Sequence, residues 1–280
     1  MAIKIVTDST ADIPQSLAKE MGITVVPLYA RFGEQVYRDR IDISEDDFYQ
    51  RLSNDPVHPT TSQPSPQDFA DVYSKLSKEA SGIVSIHISN KLSGTVNSAL
   101  RGKEISGAAC PIEVIDSEMV SMGFGLIALR AVSIAGSGKD FTGVVAEVKS
   151  LVPRAHLWAL FDTLKYLARG GRIGKAKAFL GSVLNIKPIL GVKEGEMVPV
   201  VQARNREKGM DQLFKFASGH GDIEDLAVMY STTPDEASAL ADRLGTVFDR
   251  RKIKIARLGP ALGTHAGPGA LAVALIGASK

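Results

Sequence analysis

The chain has 280 residues, 44% of them apolar, and its 33 Lys and Arg against 31 Asp and Glu give a formal net charge of +2. That balance excludes a dedicated nucleic-acid binder, which carries a basic patch or stripe, while the length allows one large domain or two modest ones at roughly 150 residues each. The single cysteine, Cys110, excludes an internal disulfide and fits a reducing compartment. MAIKIVTDST has neither region of a signal peptide, and no run of about 18 apolar residues lacks a charge, so a cytoplasmic protein with no stable membrane insertion is expected.

In chain order, IKIVTDST predicts a strand ending in small polar residues. ADIPQSLAKEMG predicts a helix capped by Asp12, with Pro14 in its first turn and Gly22 as its stop. ITVVPLYARFGEQVYRD predicts two short strands around Gly33-Glu34, with Pro27 at an edge. DISEDDFYQRLSND predicts a helix capped by Ser44, whose acids suit the helix dipole rather than a metal. VHPTTSQPSPQDFADVYSKLSKEAS predicts an irregular proline-held loop, then a helix from about Ser65-Pro66. GIVSIHIS predicts a buried strand, followed by a turn at Ser93 and a helix from about Gly94. IEVIDSEMVSMGFGLIALRAVSIAGSG predicts a strand, a short turn and a long apolar helix. This alternation implies βαβ units and a mainly parallel sheet.

After about residue 155 the rhythm changes. HLWALFDTLKYLARGG predicts a strand into a helix capped by Gly170, AKAFLGSVL a helix, and NIKPILGVKEGEMVPVVQAR a hairpin turning at Glu194-Gly195. NREKGMDQLFKFAS and TPDEASALADRLGTVF predict helices, DLAVMYS and KIARLG strands, and PALGTHAGPGALAVALIG a glycine-rich segment that turns apolar. The fold class is therefore α/β in two domains. Residues 1–157 form a mainly parallel α/β sandwich with a small β-rich insertion near 24–58, and residues 158–280 form an α+β domain.

Three readings of Ser93 stay open: helix cap, anion holder or nucleophile. Lys91-Leu92-Ser93-Gly94-Thr95 lacks both glycines of the G-x-S-x-G elbow. Gly94 would let a ligand approach the backbone, and a helix start at the C-terminal edge of a parallel sheet favours an anion. Thr60, Thr61, Ser62 and Gln63 offer donors for a carboxylate or phosphate, or ordinary turn chemistry. Of the five histidines, His265 has the most unusual surroundings, in GTHAGPG; His87 reads as core, His58 as loop, and His156 and His220 as loop or surface. No spacing of His and Cys suits zinc. RGGRIGKA fails as a phosphate loop because Arg169 and Ala176 stand where Gly and Ser or Thr are needed, and Gly123-Phe124-Gly125 lacks the third glycine of a dinucleotide loop. Arg204 and Arg206 near a helix start are opposed by its dipole, so they serve a partner, a ligand or a solvated face.

Together, IVTDSTADIP, TTSQPSP, SNKLSGTVNSA, VIDSEMVSMGFG, LKYLARGGRIG, NIKPIL, ARNREK and GTHAGPGALA resemble the DegV family in order and spacing, over essentially the whole chain. These are fatty-acid-binding proteins that include the FakB subunit of bacterial fatty acid kinase. The resemblance implies a DegV-like two-domain fold with one long-chain fatty acid in an apolar tunnel. It implies that Thr61, Ser93 and His265 hold the carboxylate, with Ser62 and Gly94 beside them, and that Arg204 meets a partner kinase. It further implies no catalysis by this chain alone and no cofactor. A separate ATP-dependent kinase subunit would make the acyl phosphate for phospholipid synthesis. The helices in MVSMGFGLIALRAV and AKAFLGSVL are expected to wall the tunnel, with Met119 and Met122 adapting to the chain. The alternatives are a Ser93–His265 esterase or thioesterase completed by Asp8 or Asp116, and a binder of some other apolar carboxylic acid.

Overall fold

The computed structural model describes residues 2–180 and 186–278. β1 (Ala2–Asp8) runs through a 3-10 turn at Ser9–Ala11 to α1 (Gln15–Glu20) and β2 (Thr24–Val26). β3 (Tyr29–Phe32) and β4 (Gln35–Arg38) form a hairpin around Gly33-Glu34. α2 (Glu45–Asn54) starts where Ser44 accepts from the Asp47 N–H, β5 (Thr60–Ser62) follows, and α3 (Pro66–Ser77) opens with a reciprocal Ser65–Asp68 capping box. β6 (Ala80–His87), α4 (Thr95–Ile105), β7 (Ile112–Asp116), α5 (Met122–Ala135) and α6 (Phe141–Leu151) continue the alternation. Then come β8 (Ala155–Leu160), α7 (Lys165–Arg169), β9 (Lys187–Lys193), β10 (Glu196–Ala203), α8 (Arg206–Ser218) and β11 (Ile223–Tyr230). α9 (Pro234–Leu244), β12 (Lys254–Arg257), α10 (Pro260–Ala266) and β13 (Leu271–Gly277) complete the chain.

Four strands make a parallel sheet in the order β2-β1-β6-β7, so their C-terminal ends share one edge. Six strands make a mixed sheet in the order β10-β9-β8-β13-β11-β12, in which only β11 and β12 are parallel. A small antiparallel sheet, β4-β3-β5, stands apart. This is the expected α/β class, with a parallel sheet and a further mixed one.

α5 lies between the two large sheets. It is apolar almost all round, the pattern of a helix buried on every side. One core runs from Ile5, Val84 and Ile115 through Phe124, Leu126 and Ile127 to Leu157, Met229 and Ala274. The helix comes close to the backbone after β1 because Gly125 has no side chain: a Cβ there would lie 2.5 Å from the Ala11 carbonyl oxygen.

Several expectations are corrected. Asp12 does not cap α1, which starts after Pro14 with no side-chain cap; its carboxylate turns inward to Ser121, Arg40 and Gly259. Thr60–Ser62 is not irregular, because pairing with β3 makes it a strand. The glycine-rich tail contains α10, with Pro260 at its first position. AKAFLGSVL begins within a 3-10 turn over Gly174–Phe179, and residues 181–184 lie outside the described residues. Sheet membership changes at the 3-10 turn Val152–Arg154, so a division after residue 157 falls inside β8; β2 stays in the parallel sheet, and the small sheet spans 29–62.

Gly125→Ala should destabilise the protein. The helix-propensity gain of about 0.5–1 kcal/mol is outweighed by an overpacking cost of about 1–3 kcal/mol against the Ala11 carbonyl. The urea midpoint is expected to fall; a rise would show that the Ala11 turn yields freely.

Candidate functional site

The parallel sheet delivers its loops to one edge. Order β2-β1-β6-β7 places the reversal of winding between β1 and β6, and ligands of open α/β sheets bind outside such a point. An open-mouthed pocket lies there. Thr10 comes from the loop after β1, Leu28 from that after β2, Ile88, Leu92 and Ser93 from that after β6, and Val120 from that after β7. β5 contributes Thr61 and Ser62, and α10 contributes Ala261, Leu262 and His265.

The polar groups form two pairs. Thr61 Oγ1 and His265 Nε2 are 2.9 Å apart, and Ser93 Oγ and Thr95 Oγ1 are 2.8 Å apart. His265 Nδ1 has no hydrogen-bond partner among the described residues and rests on Gly170, where a Cβ would lie only 2.0 Å from it. A buried N–H without a partner is costlier than an idle lone pair, so the proton belongs on Nε2. His265 then donates to Thr61, which frees the Thr61 hydroxyl to donate into the pocket. Ser93 and Thr95 share one hydrogen bond, so one of these two hydroxyls keeps a proton free to donate elsewhere.

Burial, reinforced by the charges of Arg172 and His58, pushes His265 down to about 4, so its imidazole is neutral at neutral pH. Part of its surface still faces the cavity. α4 has no side-chain cap, so its first N–H groups add a partial positive charge behind Ser93. Arg172, from the loop after α7, lines the same pocket, with its Nη1 on the Gly170 carbonyl at 2.7 Å. Sequence reasoning gave Arg172 no role beyond its place in RGGRIGKA, which fails as a phosphate loop.

An apolar cavity adjoins this pocket, and the two share Val120, Leu167, Met197, Leu262 and His265 as walls. Apart from Ser121 and His265 its lining is apolar throughout. Small side chains leave the space: Ala159 on β8 and Ala272 on β13 are register partners, with Ala270 and Ala266 beside them. Met119 and Met122 are not on these walls; both are buried in the core, Met122 as the first residue of α5. The methionine on the wall is Met197 of β10. It is held there because the β9–β10 tip docks on the Ser93 turn, with the Ser89 hydroxyl donating to the Gly195 carbonyl at 2.8 Å. Gly195 has φ +76°, and a Cβ there would stand 2.5 Å from Ser89 Oγ.

Thr61, Ser62, Ser93 and His265 thus come together. Gly94 is not on the wall; its role is contact, since a Cβ would meet the Gln63 amide at 2.9 Å. Arg204 is not brought to the pocket. It is exposed, without a hydrogen bond or ion pair among the described residues, about 23 Å along β10 from Met197 at ~3.3 Å per residue. Arg206, by contrast, is tied to Glu236, with Nη2 to Oε2 at 2.6 Å.

A hydrolase relay is not assembled. Asp8 is fully buried and pairs with His87 Nδ1 at 2.9 Å, while His87 Nε2 meets Ser85. Asp116 instead accepts from the Glu118 N–H at 2.9 Å. Neither acid reaches His265.

The sequence pattern of the family described as "Uncharacterised protein, DegV family" matches residues 2–278. The chain belongs to the DegV family. It is 37% identical over 276 residues to a DegV domain-containing protein of Streptomyces coelicolor, covering 97% of each. Among solved structures it is similar to the fatty-acid-binding DegV family protein of Thermus thermophilus, with TM-score 0.91 and 36% identity, covering 99% of this chain and 100% of that one. It is also similar to DegV, a fatty acid binding protein from Bacillus subtilis, with TM-score 0.87 and 30% identity over the same shares. No helix among the described residues of this DegV chain is long and apolar enough to cross a membrane. Those residues also gather no group of three or more His, Cys, Asp or Glu fit to hold a metal ion.

His265 should leave a pH signature. Its folded value, about 4, lies below the ordinary 6.5, so on acidification the unfolded chain takes up the proton first. The stability it contributes is present above pH 6.5 and lost as the pH falls towards about 4. Urea midpoints of wild type should fall across that window more steeply than those of His265→Gln; parallel curves would contradict the neutral, desolvated imidazole.

Proposed function

We propose that this DegV chain binds one long-chain fatty acid, with its acyl chain in the apolar cavity and its carboxylate between Thr61 and Ser93. The observation that carries the reading is the two-ended cavity, with the Thr61–His265 and Ser93–Thr95 pairs at one end and apolar walls at the other. Two structural relatives that bind fatty acids support it.

The energetics are favourable at both ends. Burying the 14 methylenes of a C16 chain at about 0.8 kcal/mol each yields on the order of 11 kcal/mol before the costs of immobilisation. An unpaired carboxylate could not follow that chain out of water. Thr61, Ser93, Arg172 and the first N–H groups of α4 supply donors that are charged, aligned or already oriented.

The chain then serves as a presenting subunit rather than an enzyme of its own. A carboxylate oxygen at the open mouth can attack the γ-phosphorus of ATP in line when a kinase subunit supplies it, breaking the bond to the β–γ bridging oxygen so that ADP leaves and an acyl phosphate forms for phospholipid synthesis. Arg204, unpaired and exposed, is a contact available to that kinase. A binder of some other apolar carboxylic acid would use the same walls, and only ligand identification separates the two.

Protein purified from bacteria, denatured and extracted should release near-stoichiometric long-chain fatty acid by mass spectrometry. None released, and none taken up on incubation, would refute the proposal. Ser93→Ala and Thr61→Val should each weaken fatty-acid affinity about 10- to 150-fold, as for loss of a hydrogen bond to a charged group. Arg204→Ala should leave that affinity unchanged while lowering acyl phosphate formation with a kinase subunit and ATP. Equal acyl phosphate from both proteins would remove Arg204 from the contact.

A further inference from the structure

The wall that carries His265 is held by a carboxylate that does not touch the cavity. Asp12 is fully buried, and each of its oxygens has a task. Oδ1 accepts the Gly259 N–H at 2.9 Å and Arg40 Nη2 at 3.0 Å, and Oδ2 accepts the Ser121 hydroxyl at 2.7 Å. Gly259 is the residue from which α10 starts, and Ser121, just before α5, lines the apolar cavity. Arg40 also donates to the Arg257 carbonyl, two residues before Gly259, and its Nε lies 3.1 Å from Glu45 Oε1. One carboxylate therefore joins the loop after β1, the loop after β4, the start of α5 and the start of α10.

The backbone is strained where these segments meet. Of the five non-glycine residues with positive φ among the described residues, three are these partners: Asp12 at 53°, Arg40 at 61° and Ser121 at 54°. Such conformations persist where the surroundings over-determine them, and they cluster at functional sites.

α10 itself has little slack. Gly263 faces Phe48 and Tyr49 where a Cβ would stand 2.7 Å from the Phe48 ring and 2.7 Å from the Tyr49 hydroxyl, and Gly267 faces Tyr166 at 2.2 Å. A helix of seven residues fitted this closely passes a displacement at Gly259 on to His265.

We propose that Asp12 is the positioning residue of the headgroup site, holding α10 where His265 reaches Thr61 and tying that helix to the α5 wall. The ligand side of this inference rests on the fatty-acid reading; the geometric side does not. A purely stabilising role fits poorly. Burial pushes Asp12 up to about 7 even though Arg40 pulls it down. A folded value above the ordinary 3.8 means that stability is lost as the pH rises through about 7. Replacing the whole Asp12–Arg40 pair by apolar groups of similar shape would avoid that loss, whereas replacing Asp12 alone would strand the buried Arg40. Keeping an acid there gives up stability at neutral pH and gains three directed contacts.

The test uses full-length protein with 15N-labelled histidine, delipidated and then titrated with palmitate. Asp12→Asn keeps the shape but not the charge or the full set of acceptors. It should shift the His265 ring resonances, leave those of His156 and His220 in place, and weaken palmitate affinity at least about tenfold, the cost of roughly one hydrogen bond. Unchanged His265 resonances, or an affinity within about twofold of wild type, would overturn the proposal. If Asp12→Asn does not fold, Ser121→Ala removes a single contact and should move the same resonances by less; no movement overturns the proposal equally. If wild type takes up no palmitate while Asp12→Asn still shifts His265, the clamp stands and the fatty-acid reading falls.

Discussion

The hydrogen bond between Thr61 and His265 joins residues 204 positions apart, and much of the structure serves to make it. Thr61 reaches it because β5 adds to β3 in the small sheet. His265 reaches it because α10 packs glycine to ring against α2 and α7 and starts on the Asp12 carboxylate. The bond consumes the imidazole proton and turns the Thr61 hydroxyl outward. A short helix, a three-residue strand and a buried acid thus converge on the direction of one O–H bond.

The cavity behind that bond gives it a purpose. Donors line one end, and past Val120, Leu167, Met197 and Leu262 the lining becomes apolar. A neutral histidine, two hydroxyl pairs and, among the described residues, no acid on the histidine support the reading of an anion holder over that of an activated nucleophile. Ser93 therefore reads as a holder. The Arg172 guanidinium at the mouth adds a charge that the hydroxyls alone lack.

Much of this was legible in the sequence, because its signals were local. The alternation of strand and helix up to α5, the cap at Ser44, the helix start near Ser65-Pro66 and both hairpin turns follow from propensity and turn chemistry alone. Ser93 was placed on its turn because an apolar run and a helical pattern flank it. What was missed depends on distant partners. β5 is too short to show periodicity, and its pairing with β3 decides it. The glycines around His265 read as freedom, yet Gly263 and Gly267 are there for close packing against rings. Asp12 looked like a local cap, but three partners from elsewhere in the chain claim its oxygens. Met119 and Met122 were assigned to the wall on composition, whereas the docking of the β9–β10 tip on Ser89 puts Met197 there instead.

The central claim is that a carboxylate is held, as an anion, by the Thr61–His265 and Ser93–Thr95 pairs. The most direct measurement is 13C NMR of palmitate labelled at its carboxyl carbon, bound to the protein and titrated from neutral pH to about pH 3.5, through the range of about 3.9–4.3 where carboxylic acids ordinarily protonate. The account predicts that the bound carbon stays at its ionised position throughout, and that Thr61→Val with Ser93→Ala lets it titrate. A bound carboxyl that protonates like the free acid, or one indifferent to both substitutions, would contradict the account.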